Sequence, residues 1–208
     1  MRRKYNLYKI TAGMSIFIVA FSLLAYQVYA GDVGLKITRP NPGIGSWWVI
    51  RKDNKEDIKI ELTEKKDGKF IVKYGEKTGV RYTDEWNQID FLGAVVGRWI
   101  TYRPHICSFR FDLIEVGKKW TCSFTCEHCP DEIRSGWGKV LGQEKVSVPA
   151  GVFDAIKVEL IMSGRISGTY HNWYAPDAQF PVKRVWNGQA AYVYELVRYE
   201  LHNDSKTQ

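Results

Sequence analysis

Residues 56–74 read EDIKIELTEKKDGKFIVKY. Ile58, Ile60 and Leu62 alternate with charged residues, the period-two pattern of a strand with one buried and one wet face. Asp67-Gly68 follows, a pair that accepts the positive φ of a tight hairpin. KFIVKY then returns as a second strand. YGEKTGV marks another turn, and VRYTDEW reads as a third strand. Three strands joined by short turns in under 35 residues predict an antiparallel meander.

The later chain repeats this style. CSFRFDLI offers Cys107, Phe109, Phe111 and Leu113 on one face of a predicted strand. VGKKW turns and WTCSFTC continues. GKVLGQEKVSV is followed by a PAG turn, where Pro149 withholds an N–H and Gly151 supplies a conformation that a Cβ disfavours. VFDAIKVELIM keeps Ile156, Val158, Leu160 and Met162 in step. Pro176 and Pro181 bound a connection, with Pro181 starting a strand at a sheet edge. In the closing AAYVYELVRYEL, Ala191, Val193, Val197, Tyr199 and Leu201 are expected on one face. WNQIDFLGAVVGRWI, residues 86–100, fits a short helix or a strand with a glycine bulge. No stretch past residue 30 holds apolar residues at helical spacing for three turns. The expected fold is mainly β: an antiparallel meander in a strongly curved sheet or open half-barrel, with a β-sandwich as the alternative.

The N-terminus has a different logic. MRRKYNLYKI is basic, a mostly apolar run spans Ile10–Val28, and Val28 and Ala30 are small residues just before Gly31. That order is the plan of a secretory signal peptide over residues 1–30, leaving a single β domain over residues 31–208 and no stable membrane span after removal. An uncleaved anchor is the competing reading, since about 20 residues suffice to span. The segment carries four of the 30 Lys and Arg and none of the 23 Asp and Glu, so the net charge falls from +7 to +3 without it. What remains shows no basic stripe for a nucleic-acid partner. The expected address is periplasmic.

Cys122, Cys126 and Cys129 stand within WTCSFTCEHCP, residues 120–130, and Cys107 lies upstream. Haem attachment requires a histidine after C-x-x-C, whereas His128 lies inside it. Zinc could use Cys122, Cys126, Cys129 and His128, with His105 or Cys107 in reserve, but only one C-x-x-C is present. A thiol–disulfide redox centre at Cys126 and Cys129 lacks its α/β context. In an oxidising compartment the simplest reading is two disulfides, Cys107–Cys122 and Cys126–Cys129.

Catalytic signals are weak. There is no G-x-S-x-G elbow and no phosphate loop. Asp84-Glu85 and Asp131-Glu132 read as solvated turns, because adjacent residues on a strand point to opposite faces. The pattern implies no cofactor. Tyr170, Trp173, Tyr174 and Trp186 form an aromatic concentration. Tyr170 and Tyr174 share one strand face and Trp173 takes the other. One set must therefore cover a second core or line a groove, which makes the four candidate ligand-binding residues.

VSVPAGVFDAIKVEL, then TYHNWYAPDAQFPVKRVW and YELVRYEL, together resemble a family of uncharacterised exported β proteins of Gram-negative bacteria. FDLIEVGKKW is similar to that family's upstream segment, and the likeness spans about residues 105–201. It implies a periplasmic antiparallel sheet akin to the half-barrels that carry lipoproteins. It carries over no catalytic residue, and the insert at residues 122–129 is not part of its pattern. The function expected is that of a non-enzymatic envelope protein binding a lipid, glycan or protein partner on a curved sheet. The alternative is a redox or zinc-binding envelope protein using Cys122, Cys126 and Cys129.

Overall fold

The computed structural model describes residues 37–93, 98–127, 129–164 and 167–203, without the side chains of residues 91–99 and 129–132. The strands run β1 (Trp47–Lys52), β2 (Glu56–Lys66), β3 (Lys69–Tyr74), β4 (Lys77–Thr83), β5 (Asp90–Gly93) and β6 (Arg98–Arg103). They continue as β7 (Lys119–Cys126), β8 (Cys129–Val148), β9 (Gly151–Ser163), β10 (Gly168–Ala175), β11 (Phe180–Gly188) and β12 (Tyr192–Glu200). The residues assigned to a signal peptide, 1–30, lie outside the described residues. No helix among the described residues is long and apolar enough to cross a membrane.

All the strands form one antiparallel meander in the order β4-β3-β2-β1-β12-β11-β10-β9-β8-β7-β6-β5. Every neighbour in that order is a neighbour in sequence except β1 and β12. Their pairing, from Trp47↔Glu200 to Lys52↔Tyr194, joins the two halves. It also sends β4 and β5, which are consecutive in the chain, to opposite edges. The sheet curls until these edges touch at the bridge Tyr82↔Gln88. An ion pair from Arg81 Nε to Asp90 Oδ2, 2.7 Å, sits beside the bridge. The ladder itself stays open. The fold is the mainly β, curved meander expected, and a sandwich is excluded because one continuous sheet carries all the pairing.

Curvature comes from bulges, each of which bends its strand and switches the face of the residues beyond it. The β1/β12 register shifts between Val49 and Ile50, leaving Val197 as the extra residue. Leu196 is consequently fully buried, while Tyr199 and Leu201 pack on the same core. The unbroken alternation expected from Ala191 to Leu201 thus fails at Val197, where parity changes. A second shift falls between Trp173 and Tyr174 against β11. Pro181 stands at that shift. It is in an interior strand, not at an edge, and the bulge accommodates its missing N–H. The hairpin at residues 66–69 is as expected, with φ +51° at Asp67 and +65° at Gly68.

The strand expected over CSFRFDLI does not form. Phe111–Leu113 is a single 3-10 turn, and the segment before it pairs with side chains instead of a strand. Asn87 Oδ1 accepts from Phe109 N–H at 2.7 Å, and Asn87 Nδ2 donates to Phe109 O at 2.9 Å. Glu85 Oε1 accepts from Phe111 N–H at 3.2 Å and from Arg39 at 2.8 Å. Glu85 is therefore an anchored, buried carboxylate and not the solvated turn residue expected. Burial raises its pKa, against the opposing pull of the Phe111 amide and Arg39. The Asp131-Glu132 pair lies outside the described side chains.

The concave face holds two apolar clusters. The larger centres on Trp48, which stacks on Phe180 at 4.9 Å and meets Trp86 edge-on at 5.0 Å. The smaller contains Phe124, Leu160, Met162 and Trp186. Four buried indole N–H groups find carbonyls: Trp48 to Ala178, Trp86 to Gln179, Trp120 to Cys107 and Trp186 to Gln189. Without those acceptors each would forfeit about 1–3 kcal/mol.

Candidate functional site

Between the two clusters lies a polar layer. On β10, Tyr174 belongs to the larger cluster and Tyr170 packs on the smaller, with Asn172 between them. On β11, Val182 and Trp186 play the same parts, with Arg184 between. On β12 they are Leu196 and Tyr192, with Tyr194 between. Asn172 pairs in register with Arg184, and Arg184 with Tyr194. Period-two alternation brings all three to the concave side, in a row running across the strands. Tyr82 from β4 and Tyr74 from β3 complete the layer after the sheet has curled.

A cavity of about 50 Å³ opens here, lined by Ile50, Ile60, Tyr74, Tyr82, Arg184 and Tyr194 with neighbouring aromatics. Arg184 Nε donates to Asn172 Oδ1 at 2.6 Å. Its guanidinium carbon lies 5.9 Å from the Tyr170 ring centroid, in the range of a cation–π contact. Among the described residues no carboxylate forms an ion pair with it. Burial is the largest influence on Arg184 and works to lower its pKa, but arginine is basic enough that the guanidinium stays charged. The phenols stay neutral. Burial pushes Tyr82 up to about 12 and Tyr74 and Tyr170 well upward. Asn172 is fully buried, and its Nδ2 has no acceptor among the described residues.

The four aromatic candidates are not one platform. Tyr170 and Trp186 pack at 4.2 Å with their rings tilted by 33° on the concave side. Tyr174 is fully buried there and hydrogen-bonds Thr38 O at 3.3 Å. Trp173 takes the convex face. It lies in register between Lys157 and Lys183, whose ammonium groups are 4.8 and 6.0 Å from its ring centroid. Its indole N–H donates to Glu144. The aliphatic stems of the lysines cover it, which leaves it 8% exposed. Arg184 and Asn172 escaped the reading of the sequence. The available signal was two polar residues on the inward face of otherwise apolar strands.

Cys107 and Cys122 are joined by a disulfide, with Cα atoms 6.3 Å apart. It ties the irregular segment before Phe111 to β7, and so joins a loop to a strand and not two strands. Cys126 is buried and pairs in register with Cys129. The Cys129 side chain and His128 lie outside the described residues. Bonded to Cys107, Cys122 is not a thiolate for zinc or for exchange. Among the described residues no cluster of three or more metal-ligating side chains occurs.

No family model matches the chain, and no curated protein matches it. Solved structures similar to it include the following three. One is a candidate lipoprotein from Parabacteroides distasonis, 13% identical, covering 76% of this chain and 96% of its own, with a TM-score of 0.41. Another is a candidate exported protein with a YmcC-like fold from Bacteroides fragilis, 13% identical, covering 79% and 100%, with a TM-score of 0.42. The third is the hypothetical lipoprotein YmcC from Escherichia coli, 8% identical, covering 74% and 83%, with a TM-score of 0.48. All three scores fall below 0.5, so the fold of this chain rests on its own sheet.

Proposed function

We propose that the chain is an exported, non-enzymatic protein of the cell envelope that binds a ligand inside its curled sheet. One observation carries the reading: a cavity on the concave face, set in the larger apolar cluster, where Tyr74, Tyr82, Tyr194 and the charged Arg184 share the lining with Ile50, Ile60, Trp86, Phe180 and Pro181. A core selected for stability alone would fill that layer with aliphatic side chains. The basic, apolar and small-residue order of residues 1–30 supports export, and the Cys107–Cys122 bridge suits an oxidising compartment. The mature chain then starts at Gly31 and lies in the periplasm. The ligand class is a lipid, a glycan or a segment of a protein partner.

Two measurements test this. N-terminal sequencing of exported material should begin at Gly31, and an intact Met1 in the membrane fraction would make the protein anchored instead. Native mass spectrometry of the mature chain, purified without detergent, should show a bound species released on denaturation. A clean apo mass, together with no midpoint shift on incubation with envelope lipid and glycan extracts, would refute the binding reading.

A further inference from the structure

We propose that Arg184, held by Asn172, forms the seat for an anionic group, a carboxylate or a phosphate, on the ligand held in this cavity. The inference rests on the binding reading above and adds the chemistry of the group recognised. Both terminal guanidinium nitrogens of Arg184 lack a hydrogen-bond or ion-pair partner among the described residues, while Nε is held by Asn172 at 2.6 Å. Fixing Nε leaves the terminal pair as a planar fork, the geometry that matches two oxygens of one anion.

The surroundings point the same way. Arg184 is half-buried, and a charge partly withdrawn from water without a counter-charge carries a cost that pairing with an anion relieves. Arginine does not neutralise. Within the layer the other groups are phenols and an amide, none of them anionic. They can donate hydrogen bonds to an anion but cannot cancel the charge. A second polar atom is also unmatched: the Asn172 Nδ2 donor, fully buried beside Arg184. Two donor groups in want of an acceptor, at one place in the fold, describe the complement of an oxyanion.

Size limits the occupant. A cavity of about 50 Å³ admits an oxyanion head and not an acyl chain. A chain, if present, has to leave the cavity with its head retained. The same head could belong to a free small anion or to an amphiphile, and the two are separable.

The test uses the mature chain in a low-salt, phosphate-free buffer. Thermal midpoints and titration calorimetry are recorded with inorganic phosphate, with dodecyl phosphate and with dodecyl maltoside, both amphiphiles below their micellar concentrations. Arg184→Met and Arg184→Lys are measured beside the parent. The parent should bind dodecyl phosphate, and Arg184→Met should bind it at least about tenfold more weakly, as expected for losing a charged hydrogen bond. Arg184→Lys should fall between them and serves if the methionine variant does not fold. Binding of inorganic phosphate as well identifies a free-anion site; binding of dodecyl phosphate alone identifies an amphiphile head. Without ligand, Arg184→Met should melt lower than the parent, because the fully buried Asn172 Oδ1 loses its Nε donor. Equal binding of dodecyl maltoside and dodecyl phosphate, unchanged in both variants, would overturn the anion seat and leave the ligand reading standing. Failure of the parent to bind either phosphate would overturn the anion seat and make Arg184 a structural residue.

Discussion

Gly138 sits opposite Trp120 in the β7/β8 ladder, and the indole lies over it. A Cβ built at Gly138 would stand 2.2 Å from Trp120 Cε2 and 2.3 Å from Cζ2, well inside van der Waals contact. Trp120 is 5% exposed and has little room to retreat. Gly138→Ala therefore forces the indole to move. Overpacking of this kind costs about 1–3 kcal/mol. Moving the ring also threatens the Nε1 bond to Cys107 O, 3.0 Å, worth about 1 kcal/mol net. The expected loss is about 2–4 kcal/mol, read as a lower urea midpoint at unchanged m-value. The cause is separable from a general intolerance of β8. In a Trp120→Ala background the new Cβ enters vacated space, and Gly138→Ala should then be close to neutral. The double-mutant cycle should give a coupling above about 1.5 kcal/mol. Additivity within about 0.5 kcal/mol would refute the reasoning, since that is the behaviour of sites that do not touch.

Replacing Cys107 with Ser should lower stability by about 2–5 kcal/mol, and peptide mapping under non-reducing conditions should recover Cys107 linked to Cys122. His105 has its pKa lowered by burial and then by the charge of Arg110. Its folded value thus lies below the 6.5 of the unfolded chain, so stability is full above pH 6.5 and falls as pH drops through the folded value. His105→Gln should flatten that fall in denaturant melts at pH 5 and 7.5, and an unchanged slope would exclude His105 as its source. Tyr82 is shifted the other way, from 10.0 to about 12, so stability is full below pH 10 and lost as pH rises towards 12. Tyr82→Phe should lessen the alkaline loss, and phenolate absorbance should rise late, together with unfolding.

Local chemistry decided the hairpins. Asp67-Gly68, Gly75 and Pro149-Ala150 turn where their own backbone preferences direct, because a tight turn is settled by two residues and the strands beside them. Alternation marked the buried positions of β2 and β9 for the same reason. The disulfide partners Cys107 and Cys122 were legible from export and from their spacing. Three features were not. The strand expected at residues 107–114 had the right pattern, yet its backbone found Asn87 and Glu85, which only the folded loop places beside it. Parity after Val197 changed because a bulge adds one residue without altering composition. The polar layer also depends on register: Asn172, Arg184 and Tyr194 are separated in sequence by intervals that mean nothing until β10, β11 and β12 are aligned. Tyr82 joins them only once β1 pairs with β12 and the edges curl together. Short-range preference acts through neighbours along the chain and is written there. Long-range pairing is chosen by the packing of the whole sheet, and the cavity with its arginine exists only as a consequence of that choice.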